Sequence, residues 1–271
     1  MAKEKVLITV KTYPSISGKY DELVCTAGFR EDGSWVRIYP VQFRKKAYTQ
    51  QYSKYQWIEI DLVKNKSDFR KESFRPRTHD TEIRIIGEIK PDGDAWKDRR
   101  EIVLKKVYTN LKTLISEAKN EEIGTSLAVF KPAEILKLEI KNTKREWDKD
   151  KLERLSQLNL FETKSEGKLE VLKKLPYKFS YKLKDETGTE SSMMIEDWEI
   201  GQLYWNSLKR HKGYEKKACQ DVRKKYIDDF AKTKDLYLFL GTTLVHHNTA
   251  PNPFVIIGVF YPKQITQTSL F

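Results

Sequence analysis

The most constraining feature of the sequence is a succession of short strand patterns over residues 1–107. The run VLITVKTY alternates apolar and polar residues, as the two faces of a β-strand do. The runs DELVCTAGF and WVRIYPV flank a turn in which Asp32-Gly33 is a strong hairpin signal. YQWIEIDLV, TEIRIIGEI and REIVLKKVY follow, with a PDGD turn between the last two. About six strands joined mainly by short turns predict a small antiparallel barrel or a strongly curled sheet.

The periodicity changes over residues 108–175, which we interpret as a mixed connector. The run NLKTLISEAKN predicts a helix, and SLAVFKPAEILKLEIK predicts extended chain broken at Pro132. A second short helix is predicted to begin near Asp148 in DKDKLERLSQLNLF. The polar stretch ETKSEGK that follows is the best candidate for a linker.

Residues 176–262 predict an α+β unit. It begins with a hairpin that turns at DETGT and continues with two helices separated by Gly213. Two strongly apolar runs close it, LYLFLGTTLV and FVIIGVFY, which we expect to be central strands of a covered sheet. The predicted fold class is therefore α+β. An antiparallel β-barrel-like N-terminal unit precedes a unit of two helices packed on a mostly antiparallel sheet, and residues 263–271 form a flexible tail.

The charge of the chain indicates the kind of partner that it binds. The sequence has 51 basic and 39 acidic residues, for a net charge of +12. An excess of this size favours an anionic polymer such as DNA or RNA, although a solvated lysine-rich surface is the simpler alternative.

The remaining composition bears on location. No apolar run approaches the ~20 residues of a membrane-spanning helix, and the first residues lack the pattern of a signal peptide. Cys25 and Cys219 form neither a disulfide framework nor a zinc spacing. We expect a cytoplasmic protein with buried, reduced thiols and no membrane partner. The oligomeric state is left open.

The second predicted helix of residues 176–262 offers the best surface for nucleic acid. An apolar stripe repeats every four residues along it and is predicted to be buried: Tyr214, Ala218, Val222, Tyr226 and Phe230. From Lys209 to Lys225 there are eight Lys or Arg residues against two acidic residues. Four of the eight project away from the stripe and are predicted to hold phosphates: Lys216, Lys217, Arg223 and Lys224. A solvated helix face is the alternative.

A second candidate surface lies in the predicted barrel, where aromatic and basic residues alternate. This pattern suits stacking on bases while phosphates are held, and the alternative is a set of amphipathic side chains that cover a barrel mouth. The residues predicted to contact nucleic acid here are Arg37, Tyr39, Arg44, Arg75 and Arg77.

The acidic run IEDWEIG supports two interpretations. Asp197 and Glu199 could act as a general acid and base or hold a divalent cation. They also lie where a helix begins, so Asp197 at the N-cap and Glu199 in the first turn would stabilise that helix, and this capping role is the favoured interpretation. Only the catalytic alternative requires a cofactor, a divalent metal; no other cofactor or metal site is predicted.

Other candidates for chemistry are weaker. His246 and His247 follow one another in a loop, where neighbouring side chains diverge, so a structural role is expected. Glu139-Ile140-Lys141 is a poor match to a nuclease motif, because such triplets are common in a highly charged chain. The sequence has no P-loop, GxGxxG, GxSxG or HExxH motif, which disfavours nucleotide hydrolysis, dinucleotide chemistry, serine hydrolysis and zinc proteolysis.

The segment QTSLF, Gln267–Phe271, resembles the short peptide by which bacterial replication and repair proteins bind the sliding clamp. Gln267, Leu270 and Phe271 match that pattern, as does Ser269, whereas Thr268 replaces the usual leucine. The resemblance implies that Leu270 and Phe271 anchor in a groove of the clamp and that Gln267 sets the register. Packing of Phe271 against the chain itself is the alternative.

These observations favour a DNA-binding protein of replication, repair, or a mobile-element or phage-defence context, recruited to a sliding clamp by its tail. One alternative is a nucleic-acid-processing enzyme, either a metal-dependent nuclease or a base-modifying enzyme. The other is a protein-interaction module whose basic surface binds an acidic partner.

Overall fold

The structure is a computed structural model that describes residues 3–17, 21–93, 95–150, 152–153 and 172–264. The chain divides into two compact units. Unit 1 comprises Met1–Glu88 and Lys141–Lys178, and unit 2 comprises Ile89–Ile140 and Phe179–Phe271. The predicted linker ETKSEGK and most of the helix predicted after Asp148 lie outside the described residues.

Unit 1 is dominated by one sheet of eight strands. The strands are β1 (Glu4–Lys11), β2 (Ser15–Ser17), β3 (Asp21–Phe29), β4 (Trp35–Val41), β5 (Gln56–Ile60), β6 (Leu62–Lys64), β7 (Ser73–Pro76) and β8 (Ile83–Glu88). Their order is β6-β7-β4-β3-β1-β5-β8, with β2 paired to β3. The pairs are antiparallel except for β4 with β7, which is parallel. The sheet is a curled half-barrel, so the prediction of a strongly curled sheet is confirmed. The parallel pair of β4 and β7 departs from the predicted antiparallel arrangement.

The core of unit 1 includes the paired strands β1 and β3. Residues Val6–Val10 of β1 are all buried. At Gly28 of β3, a Cβ atom would lie 2.0 Å from the carbonyl oxygen of Leu7. Only glycine permits the two strands to approach this closely, because any side chain would displace the backbone of β1.

Unit 2 contains the helices and two smaller sheets. Its helices are α1 (Lys97–Val103), α2 (Leu111–Lys119), α3 (Trp198–Arg210) and α4 (Glu215–Arg223), and a π-helix over Lys224–Ala231 continues α4. Its strands are β9 (Val107–Tyr108), β10 (Leu127–Phe130), β11 (Glu134–Asn142), β12 (Tyr177–Lys184), β13 (Glu190–Met194), β14 (Tyr237–Thr242) and β15 (Phe254–Phe260); the ends of β11 and β12 belong to unit 1. The sheet orders are β15-β14-β10-β9 and β11-β12-β13. The mixed α+β class is therefore confirmed.

The hairpin predicted to turn at DETGT is confirmed between β12 and β13. Asp185 organises its turn. One carboxylate oxygen accepts hydrogen bonds from the backbone N–H groups of Thr187 and Thr189, both at 2.9 Å. The other accepts from the backbone N–H of Leu111, the first residue of α2, also at 2.9 Å. One buried carboxylate thus holds both a hairpin turn and the start of a helix.

Two predictions for unit 2 are wrong. The run REIVLKKVY was expected to be a strand, but its first part belongs to α1, because Arg100 is held there by Asp235 at 2.8 Å and Val103 is buried. The two last apolar strands were both expected to be central. β14 is internal, whereas β15 ends the four-stranded order. Within the described residues, a bridge between Ile195 and Ile256 connects β15 to the residue that follows β13.

No helix within the described ranges combines the length and the apolar composition needed to cross a bilayer.

Candidate nucleic-acid interface

Helix α4 has one buried face and one charged face. Ala218 and Val222 are fully buried. At 100° per residue, the opposite side of the helix is centred near Gln220, which is exposed. The side chains around Gln220 therefore point away from the core of unit 2.

Four exposed cations surround Gln220: Lys216, Lys217, Arg223 and Lys224. We call this set the cationic face. Lys216 aligns with Arg223 and Lys217 with Lys224, since residues seven apart lie two turns apart on one side of a helix. Among the described residues, none of the four has a carboxylate within salt-bridge distance. The cationic face is thus an uncompensated positive surface on a rigid element.

Asp221 lies in the sequence between Lys217 and Arg223 of this face, but its carboxylate is engaged elsewhere. Its carboxylate accepts from Arg210 at 2.5 Å and contacts the Nε2 of His211 at 2.8 Å. The Arg210 hydrogen bond, followed by that of His211, holds the pKa of Asp221 below its usual value despite partial burial. These bonds tie α4 to the end of α3 across the turn at Gly213, which has a φ of 88°.

The π-helix keeps the apolar stripe on one side. A strict four-residue spacing drifts around an α-helix of 3.6 residues per turn, and the wider π turn reverses that drift. Tyr226 and Phe230 are buried as predicted, whereas Tyr214 is 53% exposed because it is the N-cap residue, before the first turn of α4.

The cations that follow the cationic face along the chain, over residues 225–234, are paired. Lys225 binds Asp229 at 2.5 Å and Lys232 binds Asp228 at 2.7 Å. Beside them lies an open cavity of about 580 Å³, whose lining includes Leu203. Both signs of charge line this cavity, so its walls do not favour an anion as the cationic face does.

In unit 1, Arg37 does not belong to a surface. Its prediction as a nucleic-acid contact is corrected, because its side chain is 2% exposed and cannot reach an external phosphate. Burial, followed by repulsion from Arg70, lowers the pKa of Arg37 to about 10. Arg37 lies in β4 in register with Ser73 of β7.

A buried ion pair lies beside Arg37. Asp68 is 4% exposed and accepts from Arg70 Nε at 2.8 Å and from Arg70 Nη2 at 2.6 Å. Ser73 Oγ also donates to Asp68, at 2.7 Å. Burial alone would raise the pKa of Asp68, but the hydrogen bonds from Arg70 and Ser73 hold it at about 2. The basic run DFRKESFRPR is therefore partly a buried network that joins β7 to its neighbours.

The other predicted contacts in unit 1 are largely engaged. Exposed Arg77 forms two hydrogen bonds with Asp61, at 2.6 and 3.1 Å. Exposed Arg75 donates to the carbonyls of Pro76 and Arg77. Arg44 and Tyr39 are half-buried. The structure thus does not gather these residues into one exposed basic surface like the cationic face.

Tyr48 belongs to none of the predicted contact surfaces, yet its side chain is 90% exposed. It lies in a short 3₁₀ turn, Tyr48–Gln50, that follows another at Phe43–Lys45. In the sequence, the segment around Tyr48 is distinguished by its charge composition. Residues 33–58 contain five Lys or Arg and no acidic residue.

The capping interpretation of the acidic run is confirmed. Asp197 is the N-cap of α3, and its carboxylate accepts from the backbone N–H of Glu199 at 3.3 Å. Asp197 is fully buried and Glu199 is exposed, so the two carboxylates do not form one accessible acidic pair.

His247 has a structural role, as expected. It is 2% exposed, and its ring nitrogens contact Thr242 Oγ1 at 2.7 Å and the carbonyl of Ala118 at 2.8 Å. Within the described part of the chain, no three His, Cys, Asp or Glu side chains are grouped as metal ligands would be.

Neither cysteine forms a disulfide in the described structure, and both are half-buried where buried thiols were expected. Burial raises the pKa of Cys219 to about 11. The clamp-like segment, with Gln267, Leu270 and Phe271, lies outside the described residues.

Together these features define a chain with a curled half-barrel sheet, a second α+β unit and an exposed cationic helix. A family model described as "Domain of unknown function (DUF8757)" matches residues 107–271, more than half of the chain, and the chain belongs to this family. A second model, "Domain of unknown function (DUF8758)", matches residues 2–105. The comparison with curated proteins gives no match.

One similar solved structure is described as "Structure of murine DNA binding protein bound with ds DNA". It is 11% identical, covers 99% of this chain and 100% of its own, and has a TM-score of 0.34. A similarity this low carries no argument about the fold or the function of the chain.

Proposed function

We propose that this protein binds DNA through the cationic face of α4. The observation that carries the proposal is the alignment of four exposed cations without carboxylate partners in the described structure, directly opposite the buried side of the helix. Lys and Arg in this arrangement attract a phosphate backbone by releasing its counterions.

The geometry of the face suits a polyanion better than a single small anion. Lys216 and Lys217 form one pair, and Arg223 and Lys224 form the other. The two pairs are separated by two helical turns, or about 10 Å along the axis. Phosphates a few nucleotides apart on one strand can contact both pairs, since they repeat about every 3.4 Å along the axis of a duplex. The bonds of Asp221 to the end of α3 fix the helix that carries them.

The test is the dependence of DNA affinity on salt. Four phosphate contacts predict that log K falls with log salt at a slope of about −3.6 on duplex DNA. Between roughly 50 and 200 mM salt, the affinity should fall by about two orders of magnitude. The measurement is fluorescence anisotropy of a labelled duplex, with RNA of the same sequence as a second ligand.

Weak binding that does not change with salt would contradict the proposal. Binding to an acidic protein but not to DNA would favour the interaction-module alternative. Loss of intact label upon addition of Mg²⁺ or Mn²⁺ would favour the enzymatic alternative, in which DNA is also the substrate.

We further propose that the segment Gln267–Phe271 recruits the protein to a bacterial sliding clamp, in a replication, repair, or mobile-element or phage-defence context. The support is the resemblance of these residues to clamp-binding peptides. Leu270→Ala with Phe271→Ala should abolish capture by an immobilised clamp, because both apolar anchors are lost. Thr268→Leu restores the usual residue and should strengthen capture. Unchanged capture by the double variant would overturn the proposal.

A further inference from the structure

Tyr48 presents an aromatic ring to solvent from a fixed position. At 90% exposure, it is the most exposed of the large apolar side chains in the described part of the chain. An exposed ring of this size is unfavourable in water, and a single one is not unusual. Its backbone support and its charged surroundings distinguish it from an incidental surface residue.

The turn that carries Tyr48 is held on both sides. The backbone N–H of Gln51 donates to the carbonyl of Tyr48 at 3.1 Å, and its side-chain amide donates to the carbonyl of Lys46 at 2.8 Å. Lys46 Nζ in turn donates to the carbonyls of His79 and Thr81. The turn that carries Tyr48 is therefore fixed to the segment between β7 and β8, which lowers the entropy lost when a ligand stacks on the ring.

A second anchor lies just before the turn. Phe43 is 6% exposed and packs edge-on against the ring of Tyr52 at a centroid distance of 4.8 Å. Tyr52 is itself buried, and its hydroxyl lies 2.6 Å from Thr26 Oγ1 of β3. The segment between Phe43 and Tyr52 is thus fixed to the core at both ends.

The charge around Tyr48 favours an anionic ligand. Lys45 is exposed and Arg44 is half-buried, three and four residues before the tyrosine. Residues 33–58 carry no acidic side chain, although the carboxylate of Asp80 acts on Lys46 from another segment. An exposed ring beside cations can stack on a base while the cations attract the adjoining phosphates.

We propose that Tyr48 is a base-stacking residue for single-stranded DNA. The inference rests on the proposed function, since stacking on a base requires that the chain bind nucleic acid. A single strand is the favoured ligand because its bases can expose a face to the ring, whereas the bases of a duplex are stacked on each other.

The experiment compares Tyr48 variants on a single strand and on its duplex. The single strand is about 12 nucleotides long, a length within the usual range of site sizes, and carries one 2-aminopurine whose emission falls on stacking. Tyr48→Ala should weaken binding to the single strand by about 5- to 100-fold and abolish the emission change. Duplex affinity should change less than twofold. Tyr48→Phe should behave as the wild type, because it keeps the ring.

Tyr48→Leu serves as the matched control for apolar bulk. It keeps an apolar side chain but has no aromatic face, so it should behave like the alanine variant. Equal single-strand affinity of the wild type and Tyr48→Ala would overturn the inference and leave the proposed function intact. No binding of either DNA form by the wild type would overturn both, and a Tyr48→Leu variant with wild-type affinity and emission would refute base stacking.

Discussion

Replacing the cationic face with glutamine is expected to weaken duplex DNA binding by about 10²–10³-fold at 0.1 M salt. The variant carries four substitutions: Lys216→Gln, Lys217→Gln, Arg223→Gln and Lys224→Gln. Each removed phosphate contact also makes the slope of log K against log salt shallower by about 0.9, so the total change is about 3.6. Affinity measured over a salt series gives both quantities.

Helix stability does not explain such a loss. Glutamine has nearly the helix propensity of lysine and arginine, and the four side chains are exposed on the side opposite the core. The circular dichroism and the urea midpoint of the variant should therefore match those of the wild type. A loss of affinity with an unchanged fold assigns the effect to charge at this face.

A matched control separates this face from net charge. Four exposed lysines elsewhere in unit 2 have no salt-bridge partner among the described residues: Lys90, Lys97, Lys112 and Lys119. Their replacement by glutamine lowers the net charge of the chain by the same amount. The control should keep most of the affinity, and an equal loss in both variants would show that binding depends on overall charge rather than on α4.

The sequence was informative where local pattern and final environment agree. Ala218 and Val222 lie in an apolar stripe, and the exposure of the cations on either side of them in the sequence follows from helical periodicity alone. Asp197 before a helical pattern likewise predicts an N-cap. In both cases, the residues that decide the structure are close in the sequence.

The sequence was misleading where contacts between residues far apart in the chain determine the structure. Ile102 and Val103 favour a strand by propensity, but the Arg100–Asp235 ion pair joins residues 135 positions apart, and no local pattern reveals it. Arg37 is predicted from its sequence context to contact nucleic acid, which requires an exposed side chain. The charged network around Asp68 buries it instead.

Tyr48 illustrates a third case. No motif identifies it, and only the structure shows that its ring is exposed on a supported turn. The absence of acidic residues over 33–58 is the sequence signal that would have drawn attention to the segment. A composition signal locates a region, whereas side-chain exposure identifies the residue.

The second large effect is expected on stability, from Asp68→Ala in unit 1. Arg70 is 7% exposed and donates to Asp68, and the charge of Asp68 also acts on Arg37, which is 2% exposed. Removing one partner of a buried ion pair leaves an uncompensated charge and costs about 3–5 kcal/mol. The Ser73 hydroxyl of β7 also loses its acceptor. Urea unfolding at neutral pH should show a correspondingly lower midpoint.

Acid should remove the same contribution in the wild type. The pKa of Asp68 is about 2 in the folded chain and ~3.9 in an unfolded one. A depressed folded pKa stabilises the fold fully above the unfolded value, and this stabilisation is lost as the pH falls from about 4 toward 2. The difference in stability between the wild type and Asp68→Ala should therefore narrow over that range. A difference independent of pH would contradict the assigned role of the ionised carboxylate.

Two further variants distinguish a buried charge from a lost contact. Asp80→Ala removes a carboxylate that is 84% exposed in the same unit, and it should change the stability by less than about 0.5 kcal/mol. Replacing both partners, with Asp68→Leu and Arg70→Met, should cost less than Asp68→Ala alone, because the Arg70 charge is removed together with its carboxylate partner. If the double variant is less stable than Asp68→Ala, the hydrogen bonds of the network contribute more than the burial of its charges costs. The buried arginines would then stabilise unit 1 through the hydrogen bonds that they make.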